Sequence, residues 1–100
     1  MKKRYLKSRP VCKVTFELPG AATDSARRVT LVGDFNGWDS GRTAMKRRRD
    51  GAFSITLDLD RDREYQFRYL IDGQRWENDW EADKYLPSPV SDSENSVVVV

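Results

Sequence analysis

Apolar and polar residues alternate along most of this chain, and nowhere do they recur at the helical interval. From Cys12 to Leu18 the apolar set is Cys12, Val14, Phe16 and Leu18, with Lys13, Thr15 and Glu17 between them. That period of two predicts a half-buried strand, ended by Pro19-Gly20. Ala21 to Ala26 is small and polar and reads as a loop. Arg28 to Val32 predicts a short strand with Val29 and Leu31 on one face. Gly33 to Gly41 reads as a loop holding the tight-turn pair Asn36-Gly37. Met45 to Arg48 predicts a short edge strand, followed by the hairpin signal Asp50-Gly51. Ala52 to Asp58 sets Phe53, Ile55 and Leu57, then Leu59, on one face. Glu64 to Asp72 sets Tyr65, Phe67, Tyr69 and Ile71 against Gln66, Arg68 and Leu70. A second hairpin signal, Asp72-Gly73, leads into a strand over Arg75 to Glu77. Asn78 to Asn95 carries Pro87, Pro89 and several small polar residues and reads as a long surface loop. Ser96 to Val100 closes the chain as a strand.

About seven short strands, with turn signals roughly every eight to twelve residues, mark an all-β protein and fit a two-sheet sandwich. A small barrel is the alternative that the pattern leaves open. At 100 residues the chain holds one domain. Its first ten residues form a basic arm, and residues 11–100 form the domain. Met1 and the closing strand read as the two ends of a whole protein.

Composition narrows the chemistry. The chain has no histidine, which removes the commonest general base and metal ligand, and one cysteine, Cys12, which cannot form an internal disulfide. A reducing cytoplasm suits that cysteine. No apolar run is long enough for a membrane span, and the basic start, Met1 to Arg4, is not followed by an apolar stretch of the signal-peptide kind. A net charge of +2 gives little basis for nucleic-acid binding.

The aromatics then stand out. Phe16, Phe53, Tyr65, Phe67 and Tyr69 fall on inward strand positions and read as core. Phe35 and Trp38 lie in a turn-rich loop, and Trp76 and Trp80 lie just past a hairpin turn. A large ring off the core pattern either caps an end of the domain or lies open, where it can stack on the apolar C–H face of a sugar. By alternation Arg68 and Gln66 share the outer face of a central strand, where one cation and one amide can meet hydroxyl groups. The run Lys46-Arg47-Arg48-Arg49 reads as an edge strand guarded by charge, in preference to a phosphate contact. Asp79, Glu81 and Asp83 gather near Trp80. A carboxylate pair can hydrolyse a glycoside, but a domain this small offers little cleft to exclude water, so a non-catalytic role is expected.

Four segments carry a family resemblance. They are Val29-Thr30-Leu31-Val32-Gly33-Asp34-Phe35-Asn36-Gly37-Trp38, Phe53 to Leu57, Tyr65 to Gly73, and Glu94-Asn95-Ser96-Val97-Val98. In this order and spacing, over about residues 12 to 100, the chain resembles the isoamylase N-terminal, or early-set, domain and the family-48 carbohydrate-binding modules. That family includes the glycogen-binding domain of the AMP-activated protein kinase β subunit. The resemblance implies an immunoglobulin-like β-sandwich that binds α-1,4-linked glucan without cofactor or catalysis. It implies that Trp38 and Trp76 stack on glucose rings while Arg68 and Asn95 bind hydroxyls, with Gln66 beside them. Asn95 by pattern alone reads as a turn residue. The chain departs from the family in having Arg68 where lysine is common and an extra residue, Arg75, before Trp76. It also has only Val90 in place of an apolar finger in the Pro89-to-Ser93 stretch.

The expected partner is therefore an α-glucan such as glycogen or a starch-type oligosaccharide, together with a glucan-metabolising enzyme, and neither nucleic acid nor membrane. The competing reading is a protein-interaction or packing module tied to such an enzyme, without sugar binding.

Overall fold

The computed structural model describes residues 1–23 and 25–100. Among them nine strands form two antiparallel sheets that enclose one core. The strands are β1 (Lys2–Tyr5), β2 (Val11–Leu18), β3 (Val29–Gly33), β4 (Lys46–Arg47), β5 (Phe53–Asp60), β6 (Glu64–Ile71), β7 (Arg75–Glu77), β8 (Lys84–Pro87) and β9 (Glu94–Val99). The first sheet runs β1-β2-β5-β4. The second runs β3-β6-β9-β8, and β7 also pairs with β6. The fold is a β-sandwich, as the alternation predicts.

The inward set of β2, Cys12, Val14, Phe16 and Leu18, is fully buried. It faces Val29, Leu31, Tyr65, Phe67, Tyr69, Ile71 and Val98 of the second sheet within one cluster. Phe67 sits at its centre, edge-on to both Phe16 and Tyr69, with ring centroids 5.0 and 5.7 Å away. Each such ring contributes about 1.5–3 kcal/mol through burial. Where the chain crosses from β5 to β6, the Tyr65 hydroxyl donates back to the Asp60 carbonyl at 3.0 Å. This is the tyrosine corner of immunoglobulin-like sandwiches.

Several features differ from the pattern-based expectation. The basic arm is not separate from the domain: Lys2–Tyr5 pairs with Cys12–Thr15 as an edge strand. Its charges guard a free edge and its alternation is too polar to register as a strand. The expected loop from Asn78 to Asn95 contains β8, and Asn95 itself lies on β9 opposite Leu86. β8 is four residues long and ends in proline, so its pattern is too brief to read. Within the expected loop at Ala21–Ala26, Gly20–Thr23 makes a single helical turn, while Asp24 lies outside the described residues. Ile55 and Leu57 are only half-buried, because β4 covers no more than the Phe53–Ser54 end of β5. Thr30, Val32, Leu70 and Val97 occupy outward positions of the second sheet yet are nearly or fully buried, so the outer side of that sheet is covered in part.

Gly33, at the end of β3, is required by space. Its φ of −173° is ordinary extended backbone. A Cβ there would lie 2.6 Å from the Gln66 carbonyl oxygen, 2.7 Å from the Phe67 Cβ and 2.9 Å from the Phe35 ring. Gly33→Ala is expected to cost about 1–3 kcal/mol by overpacking. Chemical denaturation checks this, and an unchanged midpoint would mean that β3 does not approach β6 so closely.

A second prediction concerns β1. Lys3 Nζ lies 2.6 Å from Asp83 Oδ2, which also accepts the Val99 N–H at 2.7 Å. Partial burial alone pushes the Asp83 carboxyl up, but the Lys3 ammonium and the Val99 N–H outweigh it and hold it below its ordinary value. A carboxyl lowered by folding stabilises above the ordinary aspartate range, and that stability is lost as pH falls through its folded value. Asp83→Asn should therefore lower the melting temperature at pH 7, and the gap to the parent should close on acidification below about pH 4. Thermal melts across that range test it.

Candidate functional site

The loop after β3 builds one end of the site, and each of its residues has a distinct task. Phe35 packs its ring among Phe16, Tyr65 and Phe67, at centroid distances of 5.5, 6.1 and 6.3 Å. It anchors the loop to the core, which its loop position had concealed. Asn36 clamps the loop from within. Its Oδ1 accepts the Gly33 N–H at 3.1 Å, and its Nδ2 donates to the Leu31 carbonyl at 2.8 Å and to Thr43 Oγ1 at 3.0 Å. Gly37 and Trp38 then turn the chain in the left-handed region, at φ 66° and 59°. Asp34 ties the result to the sheet. One carboxylate oxygen accepts the Gln66 backbone N–H at 2.7 Å, and the other accepts the Trp38 indole N–H at 2.8 Å. The indole is thus held by its polar edge while 37 % of the residue remains exposed.

The other end comes from the Asp72-Gly73 hairpin. Both residues have positive φ, at 51° and 68°, as a tight primed turn demands. The Asp72 carboxylate accepts the backbone N–H groups of Arg27 and Arg28, each at 2.9 Å, and so fixes the turn against the start of β3. Trp76 pairs opposite Leu70 and shares its outward face, 47 % exposed. The extra residue Arg75 is absorbed into the β7–β6 ladder opposite Ile71, and its guanidinium reaches the Ala22 carbonyl at 3.4 Å.

Between these ends, β6 presents Gln66 and Arg68 outward. Asn95 on the adjoining β9 joins them: its Oδ1 accepts from Arg68 Nε at 2.6 Å, and its Nδ2 donates to Gln66 Oε1 at 3.0 Å. Arg68 also reaches Ser91 Oγ at 3.4 Å. Asn95 is 4 % exposed. Its amide aligns its two neighbours. Gln66 to Leu70 spans ~13 Å along the strand, so Arg68 stands midway between the tryptophan-bearing ends. A groove of about 350 Å³ beside Trp38 is lined by Asp34, Gln66, Asn95, Ser88, Pro89 and Val90. Val90, 91 % exposed, is its apolar wall.

Three of the remaining charged residues, Arg47, Arg48 and Asp79, have internal partners. Arg47 donates to the Ala26 carbonyl and lies over the Phe53 ring, 5.3 Å from its centroid. Arg48 pairs with Glu17 and, at 2.9 Å, with Asp50. Asp79 is buried and accepts the Tyr69 hydroxyl at 2.6 Å. Burial, with the Asp79 carboxylate beside it, pushes that phenol far above its usual range.

The family model described as carbohydrate-binding module 48 (isoamylase N-terminal domain) matches residues 23–87, more than half of the chain. The chain belongs to this family. A curated relative, "Protein PTST homolog 2, chloroplastic" of Arabidopsis thaliana, is 33% identical over 78 residues, which is 77% of this chain and 13% of the relative. The chain thus corresponds to a small part of that protein's length. Family 48 is a family of carbohydrate-binding modules, and the matched segment includes Trp38, Gln66, Arg68 and Trp76 but ends before Asn95. No helix among the described residues is long and apolar enough to cross a membrane.

Asn95→Ala would leave Arg68 Nε and the Gln66 amide without their shared partner, at a cost of about 1–3 kcal/mol. Asn95→Asp keeps the acceptor for Arg68 and should recover most of it. Comparing the two variants by denaturant midpoint separates the Arg68 bond from simple loss of packing.

Proposed function

We propose that this domain binds α-1,4-linked glucan without catalysing a reaction, by stacking Trp38 and Trp76 on glucose rings. Arg68 and Gln66 hydrogen-bond the hydroxyls between the rings, and Asn95 holds both and meets the sugar from the same network. One observation carries the reading. Two half-exposed indoles bracket a cation-and-amide network on the outer side of one sheet, on a scaffold whose core fixes the spacing. Glucose offers an apolar C–H face and a rim of hydroxyls, and the site offers their complements. Membership of a carbohydrate-binding family supports the same reading. Buried, unpaired Cys12 suits a reducing compartment such as the cytoplasm.

Few groups contact the ligand, so affinity is modest. At roughly 1–3 kcal/mol per stacked ring, the scale measured for bases on aromatics, the dissociation constant falls between micromolar and millimolar. Maltoheptaose titrated into the protein should change tryptophan emission with that midpoint. Trp38→Ala and Trp76→Ala should each weaken binding about tenfold or more while far-ultraviolet circular dichroism stays unchanged. A packing module tied to a glucan-metabolising enzyme would show no response at millimolar sugar, and that result would refute the proposal.

A further inference from the structure

We infer that Trp80 forms a second, separate sugar contact that takes a glucose ring of a neutral α-glucan chain, an inference that rests on the glucan-binding reading above. Trp80 is 56 % exposed, more than either Trp38 or Trp76. Its exposure is built in, because the residue before it is locked from several sides. Asp79 N–H donates to Ser96 Oγ at 2.8 Å, and the Asp79 carbonyl accepts the Tyr85 hydroxyl. The Asp79 carboxylate takes the Tyr69 hydroxyl with one oxygen and the Glu81 N–H, at 2.8 Å, with the other. The indole is thus carried on a backbone held immediately before it, at Asp79, and immediately after it, at the Glu81 N–H.

That indole faces a different surface from the first site. Asp79 turns inward to meet Tyr69, whose ring lies between the sheets, so the chain has left the outer side of the second sheet by residue 80. The groove beside Trp80 is lined from the first sheet by Lys2, Thr15 and Glu17, and by Pro19 and Glu81. It shares no residue with the groove beside Trp38. Thr15 and Glu17 sit on the outward face of β2, opposite in sense to Phe16.

The polar groups select the ligand class. The cations of the lining, Lys2 and the Met1 ammonium, are matched in number by Glu81 and Asp79, and the Glu17 carboxylate is already paired with Arg48. Donors and acceptors of both kinds around one indole, with little net charge left over, suit a hydroxyl-rich neutral ring better than an anion or a cation. With a single stacked ring the contact is weaker than the Trp38–Trp76 pair. Two contacts on different surfaces let one domain hold two chains, or two branches, of a polysaccharide, where high local chain density makes the weaker contact effective.

The chain has three tryptophans, so three indole N–H signals report on the two sites in the intact protein. They are assigned by single Trp→Phe replacements and followed by nuclear magnetic resonance during a maltoheptaose titration. The Trp80 signal should move with its own midpoint, about tenfold weaker than the shared midpoint of Trp38 and Trp76. A Trp80 signal that stays fixed while the other two move would overturn the second contact and leave the first site standing. So would one that moves at the same midpoint as the others, since it would then merely sense the first site. If none of the three moves, the glucan-binding reading itself fails.

Discussion

The two-sidedness of β6 is the constraint on which the rest depends. Its inward residues, Tyr65, Phe67, Tyr69 and Ile71, are the centre of the core, and Gln66 and Arg68 between them supply the polar middle of the candidate site. Slipping the strand by one residue would exchange these sets and destroy core and site together. Three unrelated contacts oppose such a slip. Tyr65 reaches back to Asp60, Tyr69 reaches Asp79, and Gly33 lets β3 approach the backbone at Gln66–Phe67 too closely for any side chain. The spacing of the outward groups is therefore set by packing on the hidden side of the same strand.

The site's polar residues divide into those that hold and those that are held. Asp34 spends its two oxygens on the Trp38 indole and the β6 backbone, and Asn95 spends its amide on Arg68 and Gln66. This lowers the ordering cost at binding, which matters for a ligand that offers only a few contacts. It also gives arginine at position 68 a physical sense. A guanidinium can keep Nε on Asn95 while its terminal nitrogens remain directed elsewhere, whereas a lysine ammonium would have to serve both needs from one atom.

Much of this was legible from alternation alone, because a strand with one buried face writes its register into the sequence. β2, β3, β5, β6 and β7 were expected close to where they lie, and the exposed tryptophans were recognised by falling off the inward pattern. What escaped notice did so for definite reasons. β1 is an edge strand of charged residues and β8 is four residues ending in proline, so neither carries a readable period. Phe35 sits in a loop and anchors it through rings contributed by three other strand positions, a contact that only the tertiary fold creates. Asn95 looked like a turn residue because its strand begins only one residue earlier, and its burial depends on partners far away in sequence. The polar loop around Asp79 concealed a carboxylate that belongs to the core because a buried tyrosine hydroxyl needs an acceptor.

The two sheets also differ in how their outer sides treat charge and apolar surface. On the first, neighbours satisfy one another: Lys13 and Arg9 share Asp58, Arg48 takes Glu17 and Asp50, and Thr15 bonds Thr56 across the strands. Exposed ion pairs of this kind contribute little to stability. On the second, Glu64 at the start of β6 pairs with Lys84, while Arg68 at its middle has only neutral partners, the Asn95 amide and the Ser91 hydroxyl. Indoles lie open at both ends of that network. Val32, Leu70 and Val97 are buried on the same side and give the platform a packed apolar base. A surface that is apolar at its ends and polar at its centre matches a ligand with hydrophobic faces and a hydroxylated rim.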